Sequence, residues 1–140
     1  PPQYGYAERA VNTPLGVYYR IDIKNITDMQ AAIHDVGAIY VSAFTHEGWQ
    51  TVPPAKKAPT NHDSLAVIAF NGKPTKTAGH AFALVGFNSD GFIVQNSWGT
   101  EWGCGGFAVL SYADWMTNAM DAWVAALGVP GVVPGQLATG

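Results

Sequence analysis

Residues 79–107, GHAFALVGFNSDGFIVQNSWGTEWGCGGF, constrain this chain more than any other stretch. Residues 81–87 and 92–95 are short runs rich in Val, Ile and Phe, separated by Asn88-Ser89-Asp90-Gly91. Such side chains suit a pleated, half-buried surface, while Asn, Asp and Gly suit a tight reversal with Gly91 at positive φ. The stretch therefore reads as a β-hairpin. His80 stands at the head of the first strand and Asn96, sixteen residues on, just past the second, so strand pairing brings an imidazole to a carboxamide. An amide oxygen accepting from one ring nitrogen fixes the tautomer and leaves the other nitrogen for proton transfer. This is two thirds of a nucleophile, base and orienter triad, of which Cys-His-Asn is the thiol form. Trp98 is placed to cover the pair and keep water from competing for it.

These residues resemble the C-terminal part of the papain-like cysteine peptidases. Gly79-His80-Ala81 matches the family's strand opening, and Asn96-Ser97-Trp98-Gly99-Thr100-Glu101-Trp102-Gly103 matches its Asn-Ser-Trp-Gly-x-x-Trp-Gly hallmark. Gly106-Phe107 follows where the family usually has Gly-Tyr, and the resemblance runs from about Tyr18 to Ser111. It implies an α+β fold, the right-hand papain-like domain, with an antiparallel sheet or half-barrel. It also implies that His80 is the catalytic base, Asn96 orients it, Trp98 shields the pair and Trp102 lines the leaving-group side of the cleft. Trp49 is a possible subsite residue. The implied substrate is a peptide or protein, with no cofactor and no metal.

The departure from the family pattern is as informative as the match. The family's nucleophile sits about 130 residues before the histidine, in a Cys-Gly-Ser-Cys-Trp type motif. Here 79 residues precede His80 and none is cysteine. The expected nucleophile then belongs to a missing N-terminal domain, on the order of 50 residues upstream of Pro1. The glutamine of the oxyanion hole is missing as well, and loss of one such donor typically costs about 10²-fold or more in rate. Taken alone, the chain is expected to be inactive. The expected chemistry of the complete enzyme is thiolate attack on the peptide carbonyl, with His80 protonating the leaving amine and then activating water. The alternative is a non-catalytic papain-fold domain that binds peptides or proteins.

Composition narrows the remaining classes. With 48% hydrophobic, 12% charged and 12% aromatic residues in 140, the chain can bury a core of its own and does not read as disordered. A net charge of −3 offers no basic field, so neither nucleic acid nor membrane is an expected partner. No apolar run approaches the roughly 20 residues that span a bilayer. The first residues show no basic-then-apolar signal pattern, which leaves the compartment open.

In chain order, residues 1–14 read as a connection from the missing domain, residues 15–128 as the papain-like domain and residues 129–140 as a tail or linker. Residues 17–23 suit a strand with Tyr18, Arg20 and Asp22 on one face. A helix follows, with Thr27 as N-cap, Gln30 closing a capping box, Met29, Ala32, Ile33 and Val36 as apolar stripe, and Gly37 as stop. Residues 38–44 read as a buried strand, 53–61 as a loop containing Lys56-Lys57, 65–70 as another strand and 107–110 as a further one. Over residues 111–127, Tyr112, Trp115, Met116, Ala119, Met120, Trp123 and Leu127 recur at helical spacing, which predicts an amphipathic helix capped by Ser111 and ended by Gly128. That helix is similar to bacterial members of the family.

Cys104 lies eight residues after Asn96 in a glycine-rich loop, not at a helix start where a thiol would be activated, and reads as incidental. His34, His46 and His62 lack any metal-ligand spacing and read as surface residues. Removing half of a two-domain enzyme would leave His80, Trp98 and Trp102 as an exposed apolar wall, so self-association is expected.

Overall fold

A computed structural model describes residues 7–13, 16–55, 64–76 and 78–127. Lys56-Lys57, His62, Gly128 and the expected tail lie outside them. The described strands are β1 (Ala7–Thr13), β2 (Gly16–Ile21), β3 (Ile39–Thr45), β4 (Ala78–Phe87), β5 (Gly91–Gln95), β6 (Phe107–Ser111) and β7 (Ala119–Leu127). They form one sheet in the order β1-β2-β7-β3-β4-β5-β6, and each neighbouring pair is antiparallel. β1 falls in the stretch expected as a connection, where it pairs with β2. The helices are α1 (Ile26–Val36), α2 (Glu47–Gln50) and α3 (Tyr112–Asn118). The fold is α+β.

Local chemistry explains most of these elements. Along β2, Tyr19 and Ile21 are buried and Arg20 is exposed, as the alternation requires. The N-cap of α1 is Asn25, not Thr27. Asn25 Oδ1 accepts from the Asp28 backbone N–H at 3.0 Å while its Nδ2 donates to Asp28 Oδ2 at 2.9 Å. This reciprocal closure moves the helix start ahead of Thr27. Met29, Ala32 and Ile33 form the buried stripe; Val36 is exposed, because Gly37 turns the chain away at φ 88°. α1 packs on β3 and β4, and α3 on β3, β6 and β7.

Two expectations fail for reasons of sheet geometry. Residues 65–70 form no strand. Val67 makes one parallel bridge to Val109, with Ile68 N–H donating to the Val109 carbonyl and Val109 N–H to the Ala66 carbonyl, both at 2.8 Å. Of this segment only Ile68 is buried, too little apolar surface to extend a ladder along β6. The helix expected over residues 111–127 stops at Asn118, and its second half is strand β7. Ser111 does cap α3, its side chain accepting from the Asp114 N–H. From residue 119 the pattern also has period two: Ala122 and Val124 are buried, with Asp121, Trp123 and Ala125 half-buried between and beside them. β7 runs between β2 and β3, where both of its edges find backbone partners, and this pairing overrides the helical preference of Ala and Met.

Candidate active site

The β4–β5 hairpin forms around Asn88, whose Oδ1 accepts from the Asp90 and Gly91 N–H groups at 2.9 and 3.1 Å. Gly91 is not at positive φ, contrary to expectation. Glycine is required there because β6 passes so closely that a Cβ would collide with the Leu110 carbonyl. Near the turn Phe87 pairs with Phe92 and Gly86 with Ile93, but Leu84 then pairs with Val94, leaving Val85 as an extra residue in a bulge. That residue decides the site. Continued without it, the turn register would set Asn96 opposite Ala83, on the face away from His80. The observed Ala83–Gln95 pairing, carried one step on, sets Asn96 opposite Phe82 and on the face of His80.

His80 Nε2 and Asn96 Oδ1 are 2.7 Å apart. Asn96 Oδ1 also accepts from the Ser97 N–H at 2.9 Å, so this atom is the amide oxygen and the proton between the two side chains resides on His80 Nε2. Nδ1 then carries the free lone pair. No hydrogen bond reaches Nδ1 among the described residues. Asn96 is buried and its Nδ2 has no hydrogen-bond partner among the described residues.

Aromatic rings enclose the pair. Trp98, 41% exposed, lies over the imidazole with centroids 4.9 Å apart, and Phe82 stacks on it at 5.7 Å. Trp49 meets His80 edge-on at 6.0 Å and stacks on Trp102 at 5.8 Å. The Trp102 indole N–H donates to the Trp49 carbonyl. Trp102 is 7% exposed and supports Trp98 from below. Trp49 is fully buried, so it presents no surface to a substrate, and the expected subsite gives way to a packing role behind His80. Of the expected apolar wall, Trp98 is the exposed member.

Cys104 is half-buried in a tight turn, its N–H donating to the Phe107 carbonyl and its carbonyl accepting from the Phe107 N–H. His34 is exposed at the end of α1. His46, expected at the surface, is instead largely buried with both ring nitrogens engaged. Its Nε2 lies 2.6 Å from Oδ2 of the buried Asp114, and its Nδ1 accepts from the Gly48 N–H. Asp114 is 68 residues away, and no local pattern announces such a pair.

The description "Papain family cysteine protease" belongs to a family model that matches residues 11–126. The chain is similar to the structure of xylellain, a cysteine protease from Xylella fastidiosa, with 24% identity and a TM-score of 0.59 over 80% of this chain and 40% of that one. It is also similar to a Carica candamarcensis cysteine protease (19%, TM-score 0.57, 80% of this chain and 49% of that one). The bromelain protease from Ananas comosus is a third such structure (21%, TM-score 0.56, 79% and 50%). The chain thus spans 40% to 50% of the length of these structures. No curated protein matches. With the family's motif residues gathered at one end of an antiparallel sheet and the match extending across most of the sequence, this chain belongs to the papain family of cysteine proteases.

Proposed function

We propose that this chain supplies the general base and its orienting amide to a peptidase whose nucleophilic thiol comes from another polypeptide segment. The observation that supports this most is the 2.7 Å contact between His80 Nε2 and Asn96 Oδ1, which leaves Nδ1 as the basic nitrogen. A thiol brought to Nδ1 transfers its proton there, and the thiolate attacks the scissile carbonyl carbon. The C–N bond breaks as Nδ1 returns that proton to the leaving amine. Water, deprotonated at Nδ1, attacks the carbonyl carbon of the resulting thioester; the C–S bond breaks, the acid is released and Nδ1 returns the proton to the sulfur. Trp98 keeps bulk water from competing for the His80–Asn96 bond. Trp102 acts beneath Trp98 and does not contact the leaving group itself. Cys104, locked in its turn with Phe107, is not the nucleophile in this reading.

The test compares this chain alone with a chain extended to include a cysteine-bearing N-terminal segment, using a fluorogenic peptide. The short chain is expected to give no turnover and the extended one to hydrolyse the peptide. His80→Ala lowers kcat of the extended chain by about 10²- to 10⁴-fold, the usual worth of a general base, and Cys104→Ser leaves it unchanged. Turnover by the short chain that Cys104→Ser abolishes overturns the assignment. Peptide binding without turnover in the extended chain indicates a binding domain instead.

A further inference from the structure

We propose that His46 is a positioning residue for His80, acting through a buried chain of polar groups that ties three separate elements to the floor of the site. The chain begins at the backbone N–H of Thr75, five residues before His80, which donates to Asn118 Oδ1 at 2.9 Å. Asn118 Nδ2 donates to Asp114 Oδ1 at 2.9 Å, and Asp114 Oδ2 meets His46 Nε2 at 2.6 Å. Asp114 and Asn118, on α3, are 1% and 2% exposed. Because His46 Nδ1 accepts from the Gly48 N–H, the ring is the neutral Nε2–H tautomer, donating to Asp114. His46 therefore does two things at once. It caps α2, and it fastens that single turn of helix to α3.

The consequence for the site passes through Trp49. A four-residue helix has too few internal hydrogen bonds to hold its own place, so its position is set by what binds its ends. On one side α2 lies so close to residues 66–70 that a Cβ on Gly48 would collide with the Ala69 carbonyl. On the other, His46 anchors it to α3. Trp49, the next residue after Gly48, is the ring against which His80, Phe82, Trp98 and Trp102 all pack. The same polar chain also holds Thr75, at the entry to β4. His80 is thus referenced to α3 twice, once through the floor beneath its ring and once through the backbone leading to it. A buried carboxylate with each oxygen engaged resists displacement, since a lost donor leaves a charged oxygen without a hydrogen bond in a low-dielectric interior.

The inference deepens the reading of His80 as base and rests on it for its functional meaning. Its test is a property of the ring itself, so the two fail separately. In this chain, labelled with nitrogen-15, long-range imidazole spectra of His80 are expected to show a single Nε2–H tautomer. His46→Asn keeps an oxygen to cap α2 but is too short to reach Asp114; it is expected to shift the His80 nitrogens to the averaged values of two tautomers. Asn118→Ala, which cuts the tether at Thr75, is expected to produce a smaller shift in the same direction and serves if His46→Asn does not fold. Val124→Ala, in the core of β7 opposite Tyr19, is the control: it lowers Tm without moving the His80 signals. If folded His46→Asn or Asn118→Ala leaves the His80 nitrogens where they were, the proposal is wrong. The same holds if Val124→Ala moves them equally.

Discussion

Asn96 carries an asymmetry that separates its structural from its chemical weight. Its oxygen accepts two hydrogen bonds, and its buried Nδ2 donates none among the described residues. A neutral hydrogen bond contributes about 1 kcal/mol net, whereas a buried donor left unpaired costs about 1–3 kcal/mol. Asn96→Ala loses both bonds and removes the unpaired donor, and because Ser97 is exposed and His80 only half-buried, water can meet the two N–H groups left behind, so net destabilisation in a urea titration should stay below about 2 kcal/mol. The His80 nitrogens should nevertheless report both tautomers. A second residue sets an alkaline limit. The Tyr112 phenol is raised above its ordinary value by burial, pulled down by the bond from Gln30 and pushed up again by Asp90. A phenol that ionises later in the folded than in the unfolded chain contributes stability fully present below the unfolded value, lost as pH rises through the folded one. Unfolding midpoints should therefore fall above about pH 10, less steeply in Tyr112→Phe. At this scale the sequence was legible in part. His80, Asn96 and Trp98 announce themselves by motif, and Gly91 was recognisable as required but for the wrong reason, since close approach of β6 leaves no trace in local sequence.

Elements that neighbours define are harder to read than elements defined by their own residues. α1 was legible because its cap, stripe and stop lie within a dozen positions, and even there Asn25 displaced Thr27 by making a second bond. Residues 119–127 satisfy a helical period and an alternating one together; the choice between them was made by β2 and β3, whose paired residues lie 103 to 111 and 76 to 83 positions away in sequence. The Val85 bulge is a third case. No residue type marks it, yet it sets the parity that places Asn96 on the right face. If β7 is a central strand, amides of residues 120–124 should rank among the slowest in hydrogen exchange, while a synthetic peptide of residues 111–127 alone should show no protection. Fast exchange beyond Asn118 would argue that the segment does not pair with β2 and β3.

The chain as a whole presents its chemistry on an uncovered side. His80 is half-buried under Trp98, which is 41% exposed. Large aromatic rings left in water at the mouth of a site tend to find apolar partners, burial of such a ring being worth about 1.5–3 kcal/mol. The wall is narrower than the sequence suggested, since Trp102 is buried, so association should be weak and centred on Trp98. Sedimentation velocity across a concentration series should show a reversible shift to larger species. Trp98→Ser should displace that shift to higher concentration by about tenfold or more, as expected for loss of about 1.4 kcal/mol or more. It should leave the core intact, because Trp49 and Trp102 remain stacked beneath. A profile that stays monomeric throughout, or one that Trp98→Ser does not alter, would mean that His80 and Trp98 can stand open to solvent unaided. The proposal that another segment is needed to complete the site would then rest on the missing thiol alone.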